Sequence, residues 1–163
     1  MRSIGDVVAT MLHAVDDLDW DAVSASFTAE IATDYTSLWG GEPQVLTVDQ
    51  LISWWRQLAP GFDTTQHLIG PVVVTDADEH SATCTTNVRG YHHLDGATWM
   101  VAGRYDMRLV RSGGSDWQIA AVTLHRYYED GDRDLADAAT KRVAEGTGRR
   151  VTVPGGSRRA RPS

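Results

Sequence analysis

Four residues could together move protons: Asp16, Tyr35, His67 and His92. Tyr35 lies in Thr33-Asp34-Tyr35-Thr36-Ser37, and His67 in Thr65-Gln66-His67-Leu68-Ile69-Gly70. Both phrases otherwise read as β-strand. A polar group turned toward a core costs about a few kcal/mol unless it is paired. Several such groups together therefore suggest the lining of a pocket.

Strand alternation supports this for His92. Ala82, Cys84, Thr86, Val88, Gly90 and His92 share the more apolar face, so His92 is expected inward and His93 outward. Histidine titrates near neutrality and can pass protons in either direction. A carboxylate such as Asp16 would fix its tautomer. The expected arrangement is therefore His92 as base, oriented by Asp16. His67 opens a strand and reads either as a capping or surface residue or as a second acid–base group. Tyr35 shares a face with Ile31 and Thr33, where its hydroxyl needs a partner. A substrate oxygen would serve, though a plain core aromatic fits the pattern equally.

Asp34 falls on the opposite face and needs a bulge to reach the same space. It is kept as a substrate-binding candidate with Trp54, Trp55, Val88, Trp99 and His125. Asp106 alternates with Arg104 and Arg108 and reads as part of a solvated charge ladder. Neither a metal site nor a cofactor is expected. His92 and His93 diverge on a strand, and no His-Glu-x-x-His phrase occurs. The Gly-Gly pairs lack the strand-to-helix context of a phosphate cradle. Cys84, alone and mid-strand, reads as a buried thiol.

The elements that must position these side chains follow from periodicity. Ile4, Val7, Val8, Met11, Leu12 and Val15 mark an amphipathic helix over Ile4–Leu18, with Asp16 on the border of the stripe. Asp19 caps a short helix through Phe27, and Thr47 or Asp49 caps a third, Val48–Leu58. Glu30–Ser37 reads as a strand. Strands are then expected over His67–Thr75, Ser81–His93, Thr98–Arg111 and Trp117–Tyr127, with a hairpin turn at Asp95-Gly96. A weak helix is possible over 131–145. The layout is α+β: three N-terminal helices packed on a curved antiparallel sheet enclosing a pocket.

At 163 residues and 42% hydrophobic content, one folded domain is expected over 1–130. No apolar run approaches the ~20 residues of a membrane span, and Asp6 interrupts any signal-peptide core, so a cytoplasmic protein is expected. The tail, 146–163, holds five arginines and no acid. Removing those charges from the net −7 leaves −12 for Met1–Glu145. Such a body disfavours nucleic acid. The tail itself is expected to be disordered, and pocket chemistry is expected to survive its deletion.

The order and spacing of Asp16-Asp17-Leu18-Asp19-Trp20-Asp21, Ile31-Ala32-Thr33-Asp34-Tyr35-Thr36-Ser37, Thr65-Gln66-His67-Leu68-Ile69-Gly70 and the strand ending at His92 resemble the SnoaL-like, or nuclear-transport-factor-2-like, superfamily. The likeness extends over Ile4 to Tyr128 and is nearest to the scytalone dehydratase and bile-acid dehydratase branch. The resemblance implies a cone-shaped domain, a homodimer, and cofactor-free dehydration, cyclisation or isomerisation of a hydrophobic carbonyl or polyketide-like molecule. It places Asp16 on an aspartate that orients a histidine, Tyr35 on a tyrosine that polarises a carbonyl, and His67 and His92 on two pocket histidines. A second tyrosine of that enzyme corresponds to Val15 here, and a serine and asparagine correspond to Met107 and Leu109. The same layout hosts non-catalytic binding and protein-interaction domains, which is the alternative reading.

Overall fold

The computed structural model describes residues 1–150. Helix α1, Ile4–Asp17, starts at a reciprocal cap in which Ser3 and Asp6 satisfy each other's backbone donors, and ends at Leu18 in the left-handed conformation. Asp19 caps α2, Trp20–Ser26, through the Ala22 amide. Strand β1, Phe27–Asp34, follows without a break. Tyr35 then leaves the strand and leads a single-turn helix, α3, Thr36–Trp39. Strand β2, Gln44–Thr47, folds back on β1, and Thr47 and Gln50 form the capping box of α4, Val48–Arg56. A 3₁₀ turn at Ala59–Gly61 leads into β3, Thr64–Ile69.

The expected strand His67–Thr75 is two strands. Gly70 donates the last ladder bond to Asn87, and Pro71 has no amide to continue it, so β4 resumes at Val73–Ala77. Strands β5, Ser81–Leu94, β6, Ala97–Val110, and β7, Gln118–Gly131, form a long meander. Asp95 and Gly96 both have positive φ and make the hairpin turn between β5 and β6. Helix α5 spans Leu135–Ala144.

The sheet order is β2-β1-β7-β6-β5-β3, with β4 also paired to β5. All pairings are antiparallel except β1 with β7, which is parallel and bulged between Phe27 and Ala32. The sheet curls into a cone around α1, α2 and α4. Val7, Val8, Met11, Leu12, Val23, Leu51 and Ile31 share the main core with Leu109, Ile119 and Val122. Phe62, Leu94, Trp99 and Val101 form a second cluster with Ala136 and Ala139 of α5. No helix among the described residues is long and apolar enough to cross a membrane.

Gly146–Arg150, expected to begin a disordered tail, returns to the body. Thr147 and Arg149 donate backbone bonds to the Arg142 and Pro60 carbonyls. Residues 151–163 of that tail lie outside the described residues. Helix α5 rests on the 3₁₀ turn so closely that a Cβ at Gly61 would stand 1.9 Å from the Ala139 carbonyl oxygen. Gly61→Ala is therefore expected to displace α5, costing about 1–3 kcal/mol. Thermal unfolding should fall, and amide exchange across Leu135–Ala144 should accelerate. Unchanged exchange there would mean that α5 does not depend on this seat.

Candidate active site

The pocket occupies the hollow between the helices and the curled sheet, with a volume of about 380 Å³. Its walls are mostly apolar: Leu38, Trp39, Trp54, Trp55, Phe62 and Trp99 are prominent among them. Tyr35, Thr65, His67, His92 and Tyr105 bring polar groups to the same lining.

Strand β3 packs beside the C-terminal end of α1, and this contact builds the charged part of the site. Asp16 points at β3 from the last turn of α1. Its Oδ1 accepts from His67 Nδ1 at 2.7 Å and from the Thr65 hydroxyl at 2.9 Å, and its Oδ2 accepts from the His67 amide at 2.8 Å. Burial pushes the Asp16 carboxyl up. The hydrogen bonds and charge of His67, with help from Thr65, more than offset this and hold it below the usual carboxylate value. A carboxylate partner requires the proton of His67 to sit on Nδ1. Nε2 then carries a free lone pair beside Gly90, where a Cβ would come within 3.2 Å of it.

His92 has other partners. Its Nδ1 donates to the Trp99 carbonyl at 3.2 Å, and its ring lies against Trp99 and Phe62 at centroid distances of 4.6 and 5.0 Å. The two histidine rings stand perpendicular, 5.9 Å apart. The expected Asp16–His92 dyad is thus corrected to Asp16–His67. Alternation along β5 correctly turns His92 inward and leaves His93 exposed, but it carries no information on which strand lies nearest α1. Burial, with a contribution from the charge of His67, pulls the His92 pKa down to about 4. His92 is therefore neutral at physiological pH and serves as a hydrogen-bonding group.

Tyr35 reaches the pocket because the chain turns out of β1 just before it, which removes it from the strand's alternation. Its phenol is buried against Tyr105. Burial and this neighbour raise its pKa well above the ordinary value. Burial raises Tyr105 to about 12, opposed by the hydrogen bond from Tyr35. Trp54, Trp55, Val88 and Trp99 line the pocket.

Asp34 and His125 do not. The Asp34 carboxylate accepts from the Thr36 amide and hydroxyl and so starts α3. His125 pairs with Asp106 at 2.8 Å on the exposed outer face of the sheet. Cys84 is buried, and burial pushes its thiol up to about 11, which leaves it unreactive. Thr65 and Tyr105 were missed in the sequence. Thr65 shares a strand face with His67, and Tyr105 sits on the apolar face of its strand, so alternation carried a signal for both. Among the described residues no cluster of three or more His, Cys, Asp or Glu could hold a metal ion.

A curved sheet packed on helices around a pocket, with an Asp–His pair and two phenols at its lining, defines an α+β pocket protein of the nuclear-transport-factor-2-like kind. The sequence profile of the SnoaL-like domain matches residues 1–123, and the chain belongs to that family. No curated protein matches it in sequence. Among solved structures, the Kfla4162 protein of Kribbella flavida is 26% identical, with a TM-score of 0.72 over 82% of this chain and 91% of that one. A candidate scytalone dehydratase from Novosphingobium aromaticivorans is 16% identical, with a TM-score of 0.71 over 82% and 87%. The hexachlorocyclohexane dehydrochlorinase LinA type 3 of Novosphingobium barchaimii is 11% identical, with a TM-score of 0.67 over 80% and 88%. The last two show the shared fold.

The depressed His92 pKa has a consequence for stability. The folded protein keeps this ring neutral down to about pH 4, whereas the unfolded chain protonates it near 6.5. Between these values the unfolded state binds more protons, so stability is full above about 6.5 and is lost as pH falls toward 4, by roughly 3 kcal/mol. The expected outcome is a steep fall in Tm over this window that flattens in His92→Asn. An equal slope in both proteins would place the acid sensitivity elsewhere.

Proposed function

We propose that this protein is a cofactor-independent acid–base enzyme that eliminates water from a neutral, hydrophobic β-hydroxy carbonyl compound. Cyclisation and double-bond isomerisation are neighbouring outcomes of the same enolate. The observation that carries the reading is the Asp16–His67 pair, 2.7 Å long, at the wall of an apolar chamber. A buried carboxylate behind an imidazole fixes its tautomer and stabilises the imidazolium that forms when the ring takes a proton. The fold's likeness to dehydratase-type proteins is consistent with this.

In the proposed cycle His67 Nε2 removes a proton from the carbon beside the carbonyl. The Tyr105 phenol donates to the carbonyl oxygen as it gains charge, and Tyr35, whose hydroxyl donates to Tyr105, strengthens that donor from behind. Their raised pKa values keep both protonated and able to donate. The carbon–oxygen bond at the β position then breaks, and the departing hydroxide takes the proton from His67 and leaves as water. His92 accepts a hydrogen bond from the substrate hydroxyl and holds it over the ring. Tyr105 thus supplies the second phenol that the family pattern would place at Val15.

The lining contains no Lys or Arg among the described residues, and Asp137 stands exposed at the rim. A carboxylate drawn inside would be left unpaired, at a cost of several kcal/mol. This favours uncharged substrates.

The apolar Met107 and Leu109, both buried, favour a second reading: a ligand carrier without catalysis. Kinetics separates the two. With a neutral β-hydroxy ketone, His67→Gln is expected to lose about 10²–10⁴-fold in kcat, and His92→Asn to lose less. A carboxylate-bearing counterpart should show at least about tenfold lower kcat/KM. Wild-type turnover in a folded His67→Gln protein would exclude the mechanism and leave the carrier reading. The homodimer and the cytoplasmic location suggested by the family resemblance and by composition remain part of this proposal.

A further inference from the structure

The last carbonyls of an α-helix have no partner within the helix. In α1 the Ala14 and Val15 carbonyls accept from the Leu18 and Asp19 amides just beyond the helix end. The last turn of α1 carries no basic residue of its own. The donor for the Asp16 carbonyl comes from 133 residues away: Arg149 Nη1, at 3.1 Å. The same guanidinium donates through Nε to the Phe62 carbonyl at 2.9 Å and through Nη2 to the Ala59 carbonyl at 3.2 Å. The Arg149 amide adds a bond to the Pro60 carbonyl. Gly148 allows this approach, because a Cβ there would stand 2.9 Å from that same oxygen.

These carbonyls belong to two structures that hold the histidines. Asp16 bears the carboxylate that orients His67. Phe62 is one of the two rings against which His92 packs. One planar, half-buried guanidinium therefore ties the end of α1 to the turn beneath His92. The geometry is rigid because arginine presents its donors in a fixed fork. The cation is also well placed by charge, since it complements the carbonyl end of the helix and faces Asp16, Asp17 and Asp63.

From this geometry we infer that Arg149 is a positioning residue of the Asp16–His67 dyad, acting through backbone carbonyls and not on the substrate. The inference rests on the acid–base reading of the pocket. It reverses the expectation that pocket chemistry is independent of the chain beyond Glu145. A dyad that must hold its hydrogen bond while a proton moves is sensitive to small displacements, and a shift of about 1 Å can cost on the order of 100-fold in rate.

The test uses the full chain. Nitrogen-15 histidine spectra of the ligand-free protein report the Nδ1–H of His67 without any substrate. In Arg149→Ala the His67 Nδ1–H signal is expected to shift and to broaden into solvent exchange, while the signals of the exposed His13 and His80 stay unchanged. With a β-hydroxy ketone, kcat should fall about 10- to 100-fold with KM within about threefold. Arg149→Lys, which keeps the charge but not the fork, should recover only part of the loss. It also serves as the test if Arg149→Ala fails to fold. A wild-type His67 spectrum in either folded variant overturns the inference, as does a kcat that falls only in proportion to the folded fraction. If no substrate turns over yet the His67 signal still moves, the positioning role stands and the catalytic reading is what fails.

Discussion

A carboxylate removed from water must have its lone pairs occupied or it will not remain charged. Asp16 meets this condition with three donors, all from β3: the Thr65 hydroxyl, the His67 amide and the His67 ring. Much of the architecture follows from that requirement. The sheet must curl far enough for β3 to lie beside α1. Helix α1 must end where it does, so that Asp16 falls in its last turn. His67 must present Nδ1 to the carboxylate and so turn Nε2 toward the chamber. The bond that keeps the acid charged is the same bond that selects the tautomer of the base.

The two histidines show how one cavity can separate two roles. They stand 5.9 Å apart around Gly90, whose lack of a side chain leaves room for both. One has an ionised partner, and the other has backbone carbonyls and two aromatic faces. In so small a space two positive charges would repel strongly, and burial keeps the His92 ring uncharged. Trp99 contributes at both levels. Its carbonyl fixes His92, while its indole N–H is held by Glu129, itself braced by Arg126 and Arg133.

Much of this was legible in the sequence, wherever periodicity alone decides. The apolar stripe of α1, the cap at Asp19, the start of α4 at Thr47 or Asp49, the Asp95-Gly96 turn and the inward face of β5 all follow from local patterns. Pairing between distant segments is where local patterns stop. Alternation turned His92 into the pocket but left His67 open, and Asp16 was paired with His92 because β3 reaches α1 only through the curl of the sheet. Tyr35 was right in destination for the wrong reason, since the strand ends at Asp34. Asp34 itself went to a turn, a competition that short acidic side chains often win. Arg149 lay within a stretch whose Gly, Pro and Arg content reads as unstructured, and its three acceptors are carbonyls, which leave no trace in side-chain types.

The parallel pairing of β1 with β7 sets the order in which this molecule can be finished. Phe27–Asp34 emerges from synthesis early, yet its neighbour in the sheet follows roughly ninety residues later. Until then one edge of β1 is an open ladder of amides and carbonyls, with only the short β2 to cover the other. Closing so long a loop is slow relative to local helix and hairpin formation. The growing chain thus passes through a stage in which its helices and first hairpin exist beside an unfinished sheet, and that interval is when it is most exposed to sticking to its neighbours.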